Sequence, residues 1–363
     1  MQSLLELLRG QLQRHNFDET EFAALLDLAE QENILAFAAD HLRHLQIEYT
    51  PKQQKRLHDI SREAQLSSFV WAETLKSLLS AFDRAAMPVI SLKGPCLAER
   101  LFRDTSLRTC FDLDLLVRNA DLAAAESVLT DLGFRPNGHP DDYHRAWSRR
   151  GINVELHHNV ENPVAFNFDL RTAWTRANRS TFDGVPVWLL APADELLYLC
   201  LHGVRHRFDR LCLVLDLVRA FRILPVASPA TPEKTGPDFD NILALGWMMA
   251  VRLDPQTPAL ALLRPADHPR IQKVADQLWQ EHLLEPAETL DWAAQHRFYL
   301  ELEPPGLSRI LRRWRHTQIL FTRLIDADFA FARRFHLNRN WQVRLLRPIR
   351  LLVKSLRPSS RTV

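Results

Sequence analysis

Little in this chain speaks for covalent or metal staples: among its 363 residues there are only four cysteines, Cys96, Cys110, Cys200 and Cys212. No two of them make a C-x-x-C pair and each sits among apolar neighbours, which argues against a disulfide framework or a zinc–cysteine site and fits buried free thiols in a reducing cytoplasm. An excess of one charge is lacking too. Lys and Arg total 46 against 44 Asp and Glu, a net charge of +2, so no global field recruits nucleic acid or an anionic membrane, and any charge argument has to be local. No apolar run is long enough to span a bilayer. The N-terminal MQSLLELLRGQLQRH mixes acids and bases in an amphipathic pattern, unlike a cleaved leader with its basic segment and apolar run. Internal repeats are absent as well. What is left is a globular chain expected in the cytoplasm, with 46% apolar and 25% charged residues in ordinary proportion.

Periodicity divides the chain in three. Residues 1–85 carry apolar side chains at three- and four-residue spacing and glycine only at Gly10, a helical pattern. Residues 86–190 hold the strand-like runs: Met87 to Gly94, Phe111 to Val117, Tyr143 to Arg149, Ile152 to His158 and Val185 to Leu190, with a helix from about Ala120 to Leu132. From 191 to 363 the helical period returns, opening at Pro192 and Asp194, which suit a first helical turn. The Pro-, Ser- and Thr-rich stretch Ile223 to Phe239 interrupts it as an expected loop. The layout predicts an α+β fold, a sheet-containing core between two helical regions.

In FDLDLLV a side-chain period of two puts Asp112 and Asp114 on one face, with Phe111, Leu113, Leu115 and Val117 on the other. The carboxylates then lie roughly 6 to 7 Å apart along the strand. Like charges so close on a largely buried strand are costly, and a divalent cation relieves them. In INVELHH, Asn153, Glu155 and His157 share a face, so Glu155 can supply a third acid if the two strands are neighbours. Three carboxylates in one cleft suit Mg²⁺ or Mn²⁺ and attack on a phosphate, whereas a D-x-D by itself also occurs on solvated strands. Upstream, Leu92-Lys93-Gly94-Pro95 ends a strand and opens a helix, where backbone N–H groups, a close-approach glycine and the Lys93 charge can meet phosphate. Arg108 either neutralises that phosphate or pairs with Asp104.

The stretch VISLKGPCLAERLFRDTSLRTCFDLDLLV resembles the signature of the uncharacterised nucleotidyltransferase family of bacteria: apolar strand, Leu-Lys-Gly, helix, Arg, then Asp-x-Asp-Leu-Leu-Val. The likeness continues through VELHHNV and LYLCLHGVRHRFDRLCLVLDLVRAF and loosens in the C-terminal LLRPIRLLVKSLRP. It implies a DNA polymerase β-like nucleotidyltransferase fold, two-metal catalysis and a nucleoside triphosphate donor. Asp112 and Asp114 match the metal-binding pair, and Glu155 matches the third acid. Pro95 stands where the superfamily commonly has Gly or Ser, which removes a backbone N–H from the phosphate turn and motivates a second reading, a catalytically inactive nucleotide-binding scaffold.

His202 and His206, at i and i+4 on one helix, could ligate zinc as a metallohydrolase does, pack on the core, or line an acceptor pocket with His157 and Arg210. After Asp328 the chain has nine Lys or Arg and no acid. That tail could make a weak contact with a membrane or RNA, or be a solvated helix docked on the domain. The acceptor is not named by the sequence, and no obligate partner is evident.

Overall fold

The computed structural model describes residues 1–13, 16–138, 143–160, 168–224, 237–258, 268–284, 298–299, 301–302, 326–337 and 339–355. Residues 225–236 of the expected loop, and Arg357 in the basic tail, lie outside the described residues. Helices α1 (Gln2–Leu8), α2 (Glu19–Gln31), α3 (Leu35–His44) and α4 (Pro51–Arg84) precede the first strand. The length of α4, 34 residues, begins from a strong local signal: Thr50 and Gln53 form a reciprocal capping box and Pro51 occupies the first turn. Its inward stripe, including Leu57, Ile60, Trp71, Leu75, Leu78 and Phe82, is buried.

The fold is α+β, with seven strands in one mixed sheet ordered β3-β4-β5-β2-β1-β7-β6. The strands are β1 (Ile90–Ser91), β2 (Leu113–Leu116), β3 (Arg135–Pro136), β4 (His144–Arg149), β5 (Ile152–His157), β6 (Asn178–Phe182) and β7 (Val185–Leu189). Strand β1 pairs in parallel with β7, while β3–β4, β4–β5 and β6–β7 are antiparallel. Two of these connections are two-residue hairpins whose central residues both have positive φ: Arg150 at 48° with Gly151 at 82°, and Asp183 at 46° with Gly184 at 77°. That backbone twist matches the strands on either side, and the glycine adopts it without a Cβ penalty.

By compactness the chain forms two units, Met1–Leu115 with Asp169–Glu303, and Leu116–Phe168 with Pro304–Val363. In the first, α5 (Gly94–Phe102), α7 (Leu170–Arg176), α8 (Pro192–Arg205), α9 (Leu211–Ile223), α10 (Pro237–Leu253) and α11 (Pro269–Leu284) join α1–α4. The expected start of α8 is met, with Pro192 in its first turn. Asp194 and Glu195, in that same turn, are buried at 2% exposure each, so they need partners. Arg176 supplies Asp194 with two hydrogen bonds, 2.9 and 2.6 Å, and Arg100 grips Glu195 in a two-point pair. The second unit holds α6 (Leu122–Asp131), β3, β4 and β5, and, late in the chain, α12 (Asp326–Arg333) and α13 (Asn340–Ser355).

Near the end of α8, a Cβ built on Gly203 would stand 2.2 Å from the ring of Phe208, which is fully buried. The chain doubles back there, with Phe208 N–H donating to the Gly203 carbonyl at 2.8 Å. Gly203→Ala is therefore expected to destabilise the fold by about 1–3 kcal/mol through overpacking, outweighing the helix propensity gained by alanine. Urea unfolding measures it; a variant as stable as the parent would show that the Phe208 ring can move aside at no cost.

Candidate active site

The start of β2 fixes the site. Its four residues are all buried, so Asp114, at 1% exposure, lies inside a covered strand and not on a solvated edge. Two details differ from the alternation read in FDLDLLV. The strand begins at Leu113, which leaves Asp112 half-buried in the approach to it, and Phe111 is 56% exposed where a covered face was expected. Cys110 Sγ bonds the Asp112 carbonyl at 3.1 Å in the stretch before the ladder starts.

Strand β1 is also shorter than Met87–Gly94, because Pro88 has no N–H to give a ladder and α5 starts at Gly94. Leu92 N–H donates to the Asp114 carbonyl at 3.0 Å, tying the end of β1 to the middle of β2. The next residue, Lys93, is buried, and its Nζ stands 3.1 Å from Asp114 Oδ2. Lys93 is thus set against one of the two aspartates, whereas the sequence suggested phosphate as its partner. Gly94 has φ +70°, and an added Cβ would lie 3.2 Å from Leu113 Cδ2, with the Asp112 carbonyl at 3.8 Å. Glycine is needed there twice over, for the left-handed backbone and for the close approach of the helix start to β2.

Arg108 pairs with Asp216 and not with Asp104. Its Nε donates to Asp216 Oδ1 at 2.9 Å and its Nη2 to Oδ2 at 2.8 Å, while Asp104 accepts from Ser106. Burial alone would lower the Arg108 pKa, and the charge and hydrogen bonds of Asp216 raise it above the ordinary value. Asp216 lies in the apolar run of α9, and its need for a buried counter-charge was the missed signal.

On α8, His202 is held well below the usual imidazole range, first by desolvation and then by the positive charges of Lys93, Arg205 and His206, with Asp114 opposing. Neutral His202 therefore belongs to the surroundings of the Lys93–Asp114 pair. The rings of His202 and His206 meet edge-on at 4.8 Å, and Arg205 Nε donates to His206 Nε2 at 3.3 Å, a cation where a zinc centre would present a lone pair to metal. Arg210, expected in an acceptor pocket, is turned to the end of α2, donating to the Gln31 carbonyl at 2.5 Å.

In the second unit, β5 presents Glu155 and His157 on one face as the period of two requires, while Val154 and Leu156 are fully buried on the other. His157 Nε2 lies 3.3 Å from Glu155 Oε2, and His144 Nε2 lies 3.7 Å from Oε1. His144 was not singled out in the sequence; it arrives through the hairpin register, which sets it opposite His157. The two imidazoles stack at 5.3 Å. His157 Nδ1 is 3.2 Å from the Asn159 carbonyl, which fixes the ring's orientation.

The cysteines carry none of this chemistry. All four are free, and burial pushes the thiols of Cys96, Cys110 and Cys212 up to about 12. Among the described residues no helix is long and apolar enough to cross a membrane.

A family model described as uncharacterised nucleotidyltransferase matches residues 18–230, a span holding every strand among the described residues and the Lys93–Asp114 pair. Among solved structures, that of an antigenic nucleotidyltransferase-like protein from Paracoccidioides brasiliensis is similar at 18% identity and a TM-score of 0.36, over 59% of this chain and 94% of that one. No curated protein matches. Since the matched span takes in more than half of its length, this chain belongs to the uncharacterised nucleotidyltransferases, a family whose description points to nucleotidyl transfer and a nucleotide substrate.

Proposed function

We propose that the protein moves a nucleoside monophosphate from a nucleoside triphosphate to an acceptor hydroxyl or phosphate and releases pyrophosphate, with Asp112, Asp114 and Glu155 holding Mg²⁺ or Mn²⁺. The observation that carries this reading is the Lys93-Gly94 corner set against the start of β2, with Lys93 3.1 Å from Asp114. The donor set fits such an ion by its chemistry: Asp112, Asp114 and Glu155 each offer carboxylate oxygen, the ligand type that Mg²⁺ and Mn²⁺ take. When bound, the ion supplies positive charge that polarises the phosphate and acidifies the acceptor hydroxyl.

The chain's own residues do the rest. Gly94 lets phosphate approach the first turn of α5, and Lys93 adds its charge at that corner. Asp216 holds Arg108, so Arg108 fixes the approach to β2 and is not counted among the phosphate ligands. Glu155, held by His157 and His144, would complete the ion's ligands or accept the acceptor's proton. His202, neutral and close to Lys93, shapes the acceptor side. A cytoplasmic location suits a triphosphate donor.

Calorimetry with ATP, GTP, CTP and UTP, with and without Mg²⁺, tests the reading, together with pyrophosphate release over a panel of acceptors. Expected are Mg²⁺-dependent binding of at least one triphosphate and pyrophosphate release with at least one acceptor. Tight binding with no release from any acceptor would favour the inactive nucleotide-binding scaffold, for which Pro95 in the phosphate turn is the motivating residue. No binding of any triphosphate would end both readings.

A further inference from the structure

Helix α13 is built inside out. Its buried side carries Val343 and Arg347, and Arg347, at 2% exposure, shares the buried carboxylate of Asp328 in α12 with Arg350. The Arg350 Nε bond to Asp328 Oδ1 is 2.5 Å. Its outer side carries Trp341, Leu345 and Ile349, which are 58%, 61% and 51% exposed. These three recur every fourth residue and so form one stripe along the helix. A helix standing only in water would place its apolar stripe inward and its arginines outward. Here two arginines are spent on the last acid of the chain, and the apolar stripe is turned out.

Basic residues accompany the stripe: Arg344 on the helix itself and Arg333, Arg334 and Arg339 shortly before it in the sequence are exposed, as is Phe335 at 55%, and no acid follows Asp328 in the sequence. Asp328 itself is buried under Arg347 and Arg350, so it does not offset this field. The exposed apolar stripe thus occurs in a stretch whose exposed charges are basic. Among possible occupants, a second copy of the chain brought up by a two-fold axis would bring the exposed basic residues of the two copies toward one another. Single-stranded RNA would answer the charge but leave Leu345 and Ile349 without partners, because bases stack on aromatic and guanidinium planes. An anionic bilayer answers both features: the aliphatic residues enter the acyl boundary, Trp341 lies at the headgroup level, and the arginines meet phosphate and carboxylate headgroups.

We infer that the exposed stripe of α13, Trp341, Leu345 and Ile349, together with the exposed Arg334, Arg339 and Arg344 near it in the sequence, docks the protein on an anionic lipid surface. The helix lies in the interface and does not span it, in keeping with its length of 16 residues. The docking is independent of nucleotidyl transfer and stands or falls separately from it.

The test is co-sedimentation of the full chain with vesicles of phosphatidylcholine alone and of phosphatidylcholine mixed with phosphatidylglycerol. Binding is expected to the mixed vesicles, to weaken with added salt, and to fall by about tenfold in Leu345→Glu and in Arg339→Ser/Arg344→Ser. All these positions are exposed, and circular dichroism with a thermal melt checks that the variants are folded. Three outcomes overturn the proposal: no sedimentation with the anionic vesicles, equal sedimentation of parent and Leu345→Glu, or a parent dimer in light scattering that Leu345→Glu converts to monomer. Retention on single-stranded RNA with none on the anionic vesicles would likewise reject it.

Discussion

Asp112→Asn is expected to lower Mg²⁺-dependent nucleotidyl transfer on the order of 10³-fold, the loss that follows when a charge aimed at the reacting phosphate is removed. It should leave the fold nearly as stable as before, because Asp112 is only half-buried and precedes the strand. Asp114→Asn should show the same loss of activity together with a large loss of stability. Lys93 and Asp114 are buried at 7% and 1% side-chain exposure, and removing one charge strands the other in a medium that solvates it poorly. That penalty is about 3–5 kcal/mol. Lys93→Met combined with Asp114→Asn takes out both charges and should regain much of the stability with none of the activity. Urea unfolding and triphosphate calorimetry on the three variants separate the two roles. If Asp112→Asn binds triphosphate and Mg²⁺ as the parent does, the proposed metal site is wrong, whatever its stability shows.

The Lys93–Asp114 contact shows how far a sequence can be read. A period of two was enough to group Glu155 with His157 on β5, because that strand has six paired residues and buried Val154 and Leu156 on its other side. On β2 the same rule starts two residues too early, since Phe111 and Asp112 precede the ladder. Alternation fixes faces only once hydrogen bonding has begun, and where it begins depends on Cys110, Leu92 and Gly94, which are brought together by tertiary structure. The helical flanks were legible because α4 and α8 carry their own start signals, a capping box in one and Pro192 in the other. Strand β6 was missed although Asp183-Gly184 is among the strongest short hairpin signals; its Asn178–Phe182 residues are mostly exposed, so they lack the apolar alternation that marks a strand. Sequence spacing also gave no warning that Lys93 would turn to Asp114, or Arg108 to Asp216 across 108 residues. Such pairings follow from a burial cost that appears only when the chain is folded.

Arg108→Ala is the second substitution with a large expected effect, a loss of about 3–5 kcal/mol of stability. The guanidinium makes three hydrogen bonds to Asp216, at 2.9, 3.1 and 2.8 Å, with side-chain exposures of 14% and 6%. Cutting the side chain back to alanine leaves the Asp216 carboxylate buried in α9 with its principal counter-charge gone, and opens space beside it. Arg108→Met with Asp216→Leu removes the charge from both ends while keeping apolar volume, and should be close to the parent in stability, since a buried pair replaced by well-packed apolar groups is often neutral. Lysine at position 108 should recover only part of the loss, because an ammonium cannot reproduce the two-point grip of a guanidinium on a carboxylate. Urea unfolding of Arg108→Met, of Asp216→Leu and of the double variant gives the coupling between the residues directly. A coupling near zero would mean that Arg108 is not held by Asp216 in solution, and would return its guanidinium to the candidates for binding the triphosphate.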